Sequence, residues 1–76
     1  MNNDNLIRMV NQIGAFFESM PDRAEALQEL AMHLKKFWDP RMRRALLELM
    51  EEKGGSGDQI SDIVRRAALE HRSLLT

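Results

Sequence analysis

The stretch KKFWDPRMRRAL (35–46) holds five bases, Lys35, Lys36, Arg41, Arg43 and Arg44, against a single acid, Asp39. Its local charge is +4, and two aromatics, Phe37 and Trp38, stand among the bases. Arginine offers a planar, bidentate donor set for carboxylate or phosphate. An aromatic ring can stack on a base or fill an apolar pocket on a partner. The cluster therefore admits three readings: a platform for nucleic acid, a grip on a protein, or a helix corner whose charges are simply solvated.

The remaining reactive residue types do not assemble a second centre. His33 and His71 lack the neighbouring histidine or carboxylate spacing of a metal site. The chain contains no cysteine, which excludes disulfides, thiol catalysis, iron–sulfur ligation and thiolate zinc sites. GGSGD (54–58) follows a helical pattern and lacks the Lys-Ser/Thr signature of a phosphate loop. Glu18, Asp22, Glu25 and Glu29, with Arg23 the one base among them, read as a solvated helix end that favours the helix dipole. No catalytic, cofactor-binding or metal-binding residue is expected, and the chain is read as a non-enzyme.

Four segments with helical periodicity must position the cluster. In the first, about 4–20, Leu6, Met9, Val10, Ile13, Phe16, Phe17 and Met20 form one stripe, with Asn3 or Asp4 as the cap. Gly14 borders that stripe at a cost of about 1 kcal/mol against alanine, which close approach of another helix, or of a partner, would offset. Pro21 breaks this helix, and Asp22 with Glu25 is spaced as a capping box for the second, about 22–38. Its stripe is Ala24, Leu27, Leu30, Ala31, Leu34, Phe37 and Trp38, while Met32 points the other way. Asp39 as cap and Pro40 as first residue start the third helix, about 40–53. A flexible loop follows at 54–58. The last helix, about 61–72, starts from Asp58 or Ser61 and carries Ile60, Ile63, Val64, Ala67, His71 and Leu74 on one side. The expected architecture is all-α: a single domain over residues 1–76, a compact small bundle of four short helices joined by tight turns.

Helical phase sorts the cluster. Trp38 falls at the middle of the second stripe and should enter the core, whereas Phe37 lies at its edge and could serve core or surface. Arg41, Arg43 and Arg44 open a new helix. There Met42, Leu46 and Leu49 make the stripe, Leu47 and Met50 widen it, and Arg43 falls within the extension. The apolar arc spans roughly 160°, enough either for a partner or for a helix wedged between two neighbours. The candidate partner surface is Phe37, Arg41, Arg43, Arg44, Leu47 and Met50.

The totals narrow the partner. The chain has 76 residues, a formal net charge of −1 and a pI near 6.1. A dedicated nucleic-acid domain reads more basic, with a pI above about 9. A small nucleic-acid-binding module using residues 35–44 is thus the alternative reading, together with a free-standing adaptor that dimerises. No stretch approaches the ~20 apolar residues of a membrane span. The opening MNNDNLIR lacks the charged start and apolar run of a signal peptide. A cytoplasmic protein without a membrane role is expected.

Two stretches, NQIGAFFESMPDRAEA and HLKKFWDPRMRRAL, resemble the delta subunit of soluble, NAD-dependent, molybdenum-containing formate dehydrogenases. The likeness is close over residues 4 to about 47 and looser over ISDIVRRAALEHR; IGAFF, MPD and FWDPRMR carry it in combination. The resemblance implies partners. A large alpha subunit would hold the molybdopterin guanine dinucleotide centre and iron–sulfur clusters. A beta subunit would hold flavin and bind NAD, and a gamma subunit would carry further iron–sulfur. Formate and NAD⁺ would be converted to carbon dioxide and NADH by those subunits. The delta subunit, with no cofactor in its own chain, would be an accessory for assembly, cofactor insertion or stability.

Overall fold

The computed structural model describes residues 2–51 and 59–76. Those residues form five helices and no strand: α1 (Asn3–Glu18), α2 (Arg23–Phe37), α3 (Pro40–Glu51), α4 (Asp62–Glu70) and α5 (Arg72–Leu75). The expected loop at 54–58, the possible cap at Asp58 and the last two residues of the expected third helix lie outside the described residues.

The helix boundaries follow from local chemistry. Asn2, rather than Asn3 or Asp4, caps α1: its side-chain oxygen accepts from the amides of Asp4 at 2.8 Å and Asn5 at 3.3 Å. α1 closes at Glu18, two residues before the expected end. Pro21 pushes Met20 away from helical angles. The Ser19 and Met20 amides instead turn back to the carbonyls of Phe16 and Phe17, tightening the last turn. Asp22 caps α2 as its spacing predicts, accepting from the Glu25 amide at 3.2 Å. α2 stops because Trp38 is extended, with φ −96° and ψ 135°. Asp39 then caps α3 by accepting from the Met42 amide at 2.9 Å, and Pro40 takes the first helical position.

The fourth expected helix is divided. His71, at φ −118° and ψ 36°, ends α4, and the single turn of α5 follows. Ser61 occupies the cap position of α4, but its side chain makes no cap hydrogen bond. Its amide donates instead to the Asn11 side-chain oxygen at 2.9 Å, while the Asn11 side-chain nitrogen donates to the Gln59 carbonyl at 2.9 Å. α1 thereby fixes where α4 begins.

α2 is the central element and packs against α1, α4 and α5. Leu30, Ala31 and Leu34 of α2 are fully buried, along with Val10 of α1, Leu46 of α3 and Val64 and Ala67 of α4. Trp38 enters this core at 6 % exposure, as its phase predicts. Ala26 rather than Ala24 is buried in the first turns of α2, and Met32 is half-buried. Gly14 is buried where α4 crosses α1. A Cβ at that position would lie 2.7 Å from Val64 Cγ2, 3.1 Å from Ile63 Cγ2 and 3.3 Å from Ser61 Oγ. The close approach expected of this glycine is thus made by the last helix. α3 sits against α1 and α5, so its wide apolar arc is shared between two neighbours: Leu46, Leu47 and Leu49 are buried, and Met42 and Met50 are partly buried against the core.

Candidate functional site

The corner at Trp38–Asp39 turns the chain from α2 into α3 without a flexible residue and presents the arginines from the first turns of a capped helix. Arg41 and Arg44 are exposed and line one concavity together with Asp39 and Pro40. Arg43 behaves differently. It is half-buried and turns back across the corner, where Nη1 donates to the Lys35 carbonyl at 3.2 Å. That carbonyl lies in the last turn of α2, where the final four carbonyls lack partners within the helix. A cation is also favourable at a helix C-terminus. Arg43 therefore clamps α3 onto the end of α2. Its Nε is buried with no hydrogen-bond partner, a cost that offsets part of the gain from the clamp.

Arg44 also borders a second cleft, lined by Pro40, Leu47, Glu48, Glu51, Arg72 and Leu75. Leu47 and Leu75, at 6 % and 2 % exposure, form its apolar floor. Glu51 accepts from Arg72 Nη2 at 2.6 Å, joining α3 to α5 at the rim. The sequence-derived surface is thus divided by the fold. Arg41 and Arg44 present charge, Leu47 lies beneath Arg44, Met50 packs partly against the core, and Arg43 holds the corner.

Phe37 belongs to another neighbourhood. It is 71 % exposed, and its ring lies 4.8 Å from that of His33. His33 is 5.9 Å from Phe17, which meets Phe16 edge-on at 5.1 Å. Ile13, Phe16, Phe17 and His33 line one apolar depression between α1 and α2. His33 is the link in this row. Phe16, expected in the buried stripe, is 70 % exposed. Helical phase alone does not separate the two rings: neighbours such as Leu6 and Ile7, or Leu46 and Leu47, are both buried, whereas of Phe16 and Phe17 only Phe17 packs partly against the core.

Among the described residues, no group of three or more histidine, aspartate or glutamate side chains is placed to hold a metal ion. No helix among them is long and apolar enough to cross a membrane.

Comparison with known proteins gives one finding. The family model described as NADH-dependent formate dehydrogenase delta subunit FdsD matches residues 5–68, from the first turn of α1 into the last turns of α4. Neither the curated proteins nor the solved structures compared with the chain gave a match. The matched span includes the Gly14 crossing, the Pro21 break and the Trp38–Asp39 corner, and over that span the chain belongs to the FdsD family of formate dehydrogenase delta subunits.

Proposed function

We propose that this chain is a non-catalytic, cytoplasmic accessory subunit that docks on the large molybdenum-containing catalytic subunit of an NAD-dependent formate dehydrogenase. Beta and gamma subunits would share the complex, and docking would support its assembly, cofactor insertion or stability. The family match over residues 5–68 carries the subunit reading, and the pairing of Arg41 with Arg44 on one concavity, mounted on a corner that Arg43 and Asp39 hold, supports the choice of docking surface. Two exposed guanidinium groups on a rigid mount suit bidentate capture of carboxylates on a partner. Against the nucleic-acid alternative, Trp38 is in the core, which leaves Phe37 as the one exposed ring of the cluster, and the net charge of −1 gives no broad basic field.

Truncating one side of a buried, hydrogen-bonded charge pair at an interface costs about 2–5 kcal/mol. Arg41→Ala with Arg44→Ala should therefore strip the subunit from the tagged large subunit during co-purification, without altering its helical circular dichroism. A folded double variant that co-purifies in full would overturn the assignment of this surface. Arg43→Ala is the contrast: its first effect should be a lower melting temperature of the isolated chain, because the residue holds the corner.

A further inference from the structure

We infer that α5 is a strap: it opens about His71 while α1 to α4 stay folded, and in opening it uncovers the apolar floor beside Arg44. The inference concerns the chain by itself and does not depend on the accessory reading above. It adds that the arginine corner exists in two forms, one with Leu47 covered and one with Leu47 exposed.

The backbone supplies the hinge. The His71 amide still donates to the Ala67 carbonyl at 3.0 Å, but the chain leaves helical angles at that residue and α4 ends. α5 is then a single turn with no side-chain cap at its start, in which the Leu74 amide donates to the His71 carbonyl at 2.9 Å. One turn of helix fixes several dihedral angles for very few hydrogen bonds and does not persist by itself. α5 therefore keeps its form only through what it touches on the rest of the bundle. The family match ends at residue 68, so the strap and its hinge lie beyond the matched span.

Two attachments hold the strap. Leu75 is its one buried residue, at 2 % exposure. Arg72 Nη2 donates to Glu51 of α3 at 2.6 Å, but the two side chains are 46 % and 61 % exposed, so water and salt screen the pair. Between these points α5 does not fill the space against α3. A cleft of about 360 Å³ lies there, with Arg44 and Leu47 on one wall and Arg72 and Leu75 on the other. An element with few buried anchors and solvent-exposed hydrogen bonds opens before the whole bundle does. α4 is anchored otherwise: Ile63, Val64, Ala67 and Ala68 are buried, and Asn11 of α1 holds its start. Opening that begins in α5 therefore stops at His71. Leu47 is 6 % exposed with the strap in place, and withdrawal of Leu75 turns it to solvent next to Arg44.

The test uses the full chain, which contains no cysteine, so an introduced thiol is the only one present. Leu47→Cys reports the floor beneath α5. Ala31→Cys, at a fully buried position of α2, reports opening of the bundle. Each variant is reacted with a maleimide once circular dichroism shows its helices intact. The Leu47→Cys thiol should be labelled at least about tenfold faster than the Ala31→Cys thiol. Its rate should stay nearly flat in low urea, because a strap exposes little surface, whereas the Ala31→Cys rate should climb steeply. Glu51→Gln should speed labelling of Leu47→Cys about two- to fivefold, the range for an exposed ion pair. Asn11→Ala breaks a tie that stays formed when the strap opens, so it should speed labelling of Ala31→Cys and leave that of Leu47→Cys unchanged. Equal rates for the two thiols with one shared urea slope, or an equal response of both to Asn11→Ala, would mean that α5 opens only with the bundle and would overturn the inference. So would a Leu47→Cys thiol that reacts as fast as free cysteine, since the floor would then never be covered. A Leu47→Cys rate indifferent to Glu51→Gln would remove the pair as a clasp and overturn the strap as described.

Discussion

Replacing Gly14 by alanine opposes two effects of known sign. In an open helix the change stabilises by about 1 kcal/mol, because glycine gives up more backbone freedom on folding. Here the new methyl would meet Val64 Cγ2 at 2.7 Å, a separation that real Cβ atoms essentially never show, and Ile63 Cγ2 at 3.1 Å. Both neighbours are β-branched and at most 1 % exposed, so neither can swing aside into solvent. α1 and α4 must part, and overpacking of this kind costs about 1–3 kcal/mol. The steric contribution should win, leaving Gly14→Ala less stable by up to about 2 kcal/mol. At about 4–8 °C per kcal/mol for a domain of this size, the melting temperature should fall by up to roughly 15 °C. Circular dichroism melts of the isolated chain provide the assay. Ala15→Gly, at the exposed neighbouring position, measures the backbone effect alone. Adding Val64→Ala to Gly14→Ala should recover part of the loss, as a coupling of about 1 kcal/mol between two residues in contact. If Gly14→Ala melts at or above the parent temperature, the helix crossing is not as close as described and the reasoning fails.

Two further substitutions probe the positioning of α4 and of the arginine corner. Asn11→Ala removes both hydrogen bonds that join α1 to the start of α4 and should cost about 1–2 kcal/mol, read as a shift in the urea midpoint without a large change in slope. Asp39→Ala removes the acceptor for the Met42 amide and should cost about 1 kcal/mol. Asp39→Asn or Asp39→Ser should restore most of that stability, since both keep a capping oxygen.

The sequence reveals most where a single residue type permits few conformations. Pro21, Asp22, Asp39 and Pro40 mark both corners because a missing N–H or a short capping oxygen acts within its own turn. Trp38 is assigned to the core correctly because its phase on α2 agrees with Leu27, Ala31 and Leu34. The division of the last helix at His71 has no comparable local signal: neither proline nor glycine stands there, and the break reflects how α5 packs on α2 and α3. The interface residues show the same limit. Arg41, Arg43 and Arg44 are alike in composition, yet Arg43 is drawn inward by an unpaired carbonyl of α2, a partner eight residues away in the chain. The row of rings was obscured because His33 and Phe16 lie on different helices, and periodicity within one helix cannot show which residues meet across two.

The bond from Asn11 to Ser61 spans 50 residues and also bears on the order of folding. α4 has only nine residues, too few for a helix to persist alone in water, and it lacks a side-chain cap of its own. It gains a fixed start only when α1 supplies one, and α1 gains a cover for the notch at Gly14 only when α4 arrives. Each completes the other, so no N-terminal portion that stops short of α4 can close its core. As the chain is synthesised, α1 can pack on α2 early, but the notch in α1 at Gly14 stays uncovered until α4 has been made.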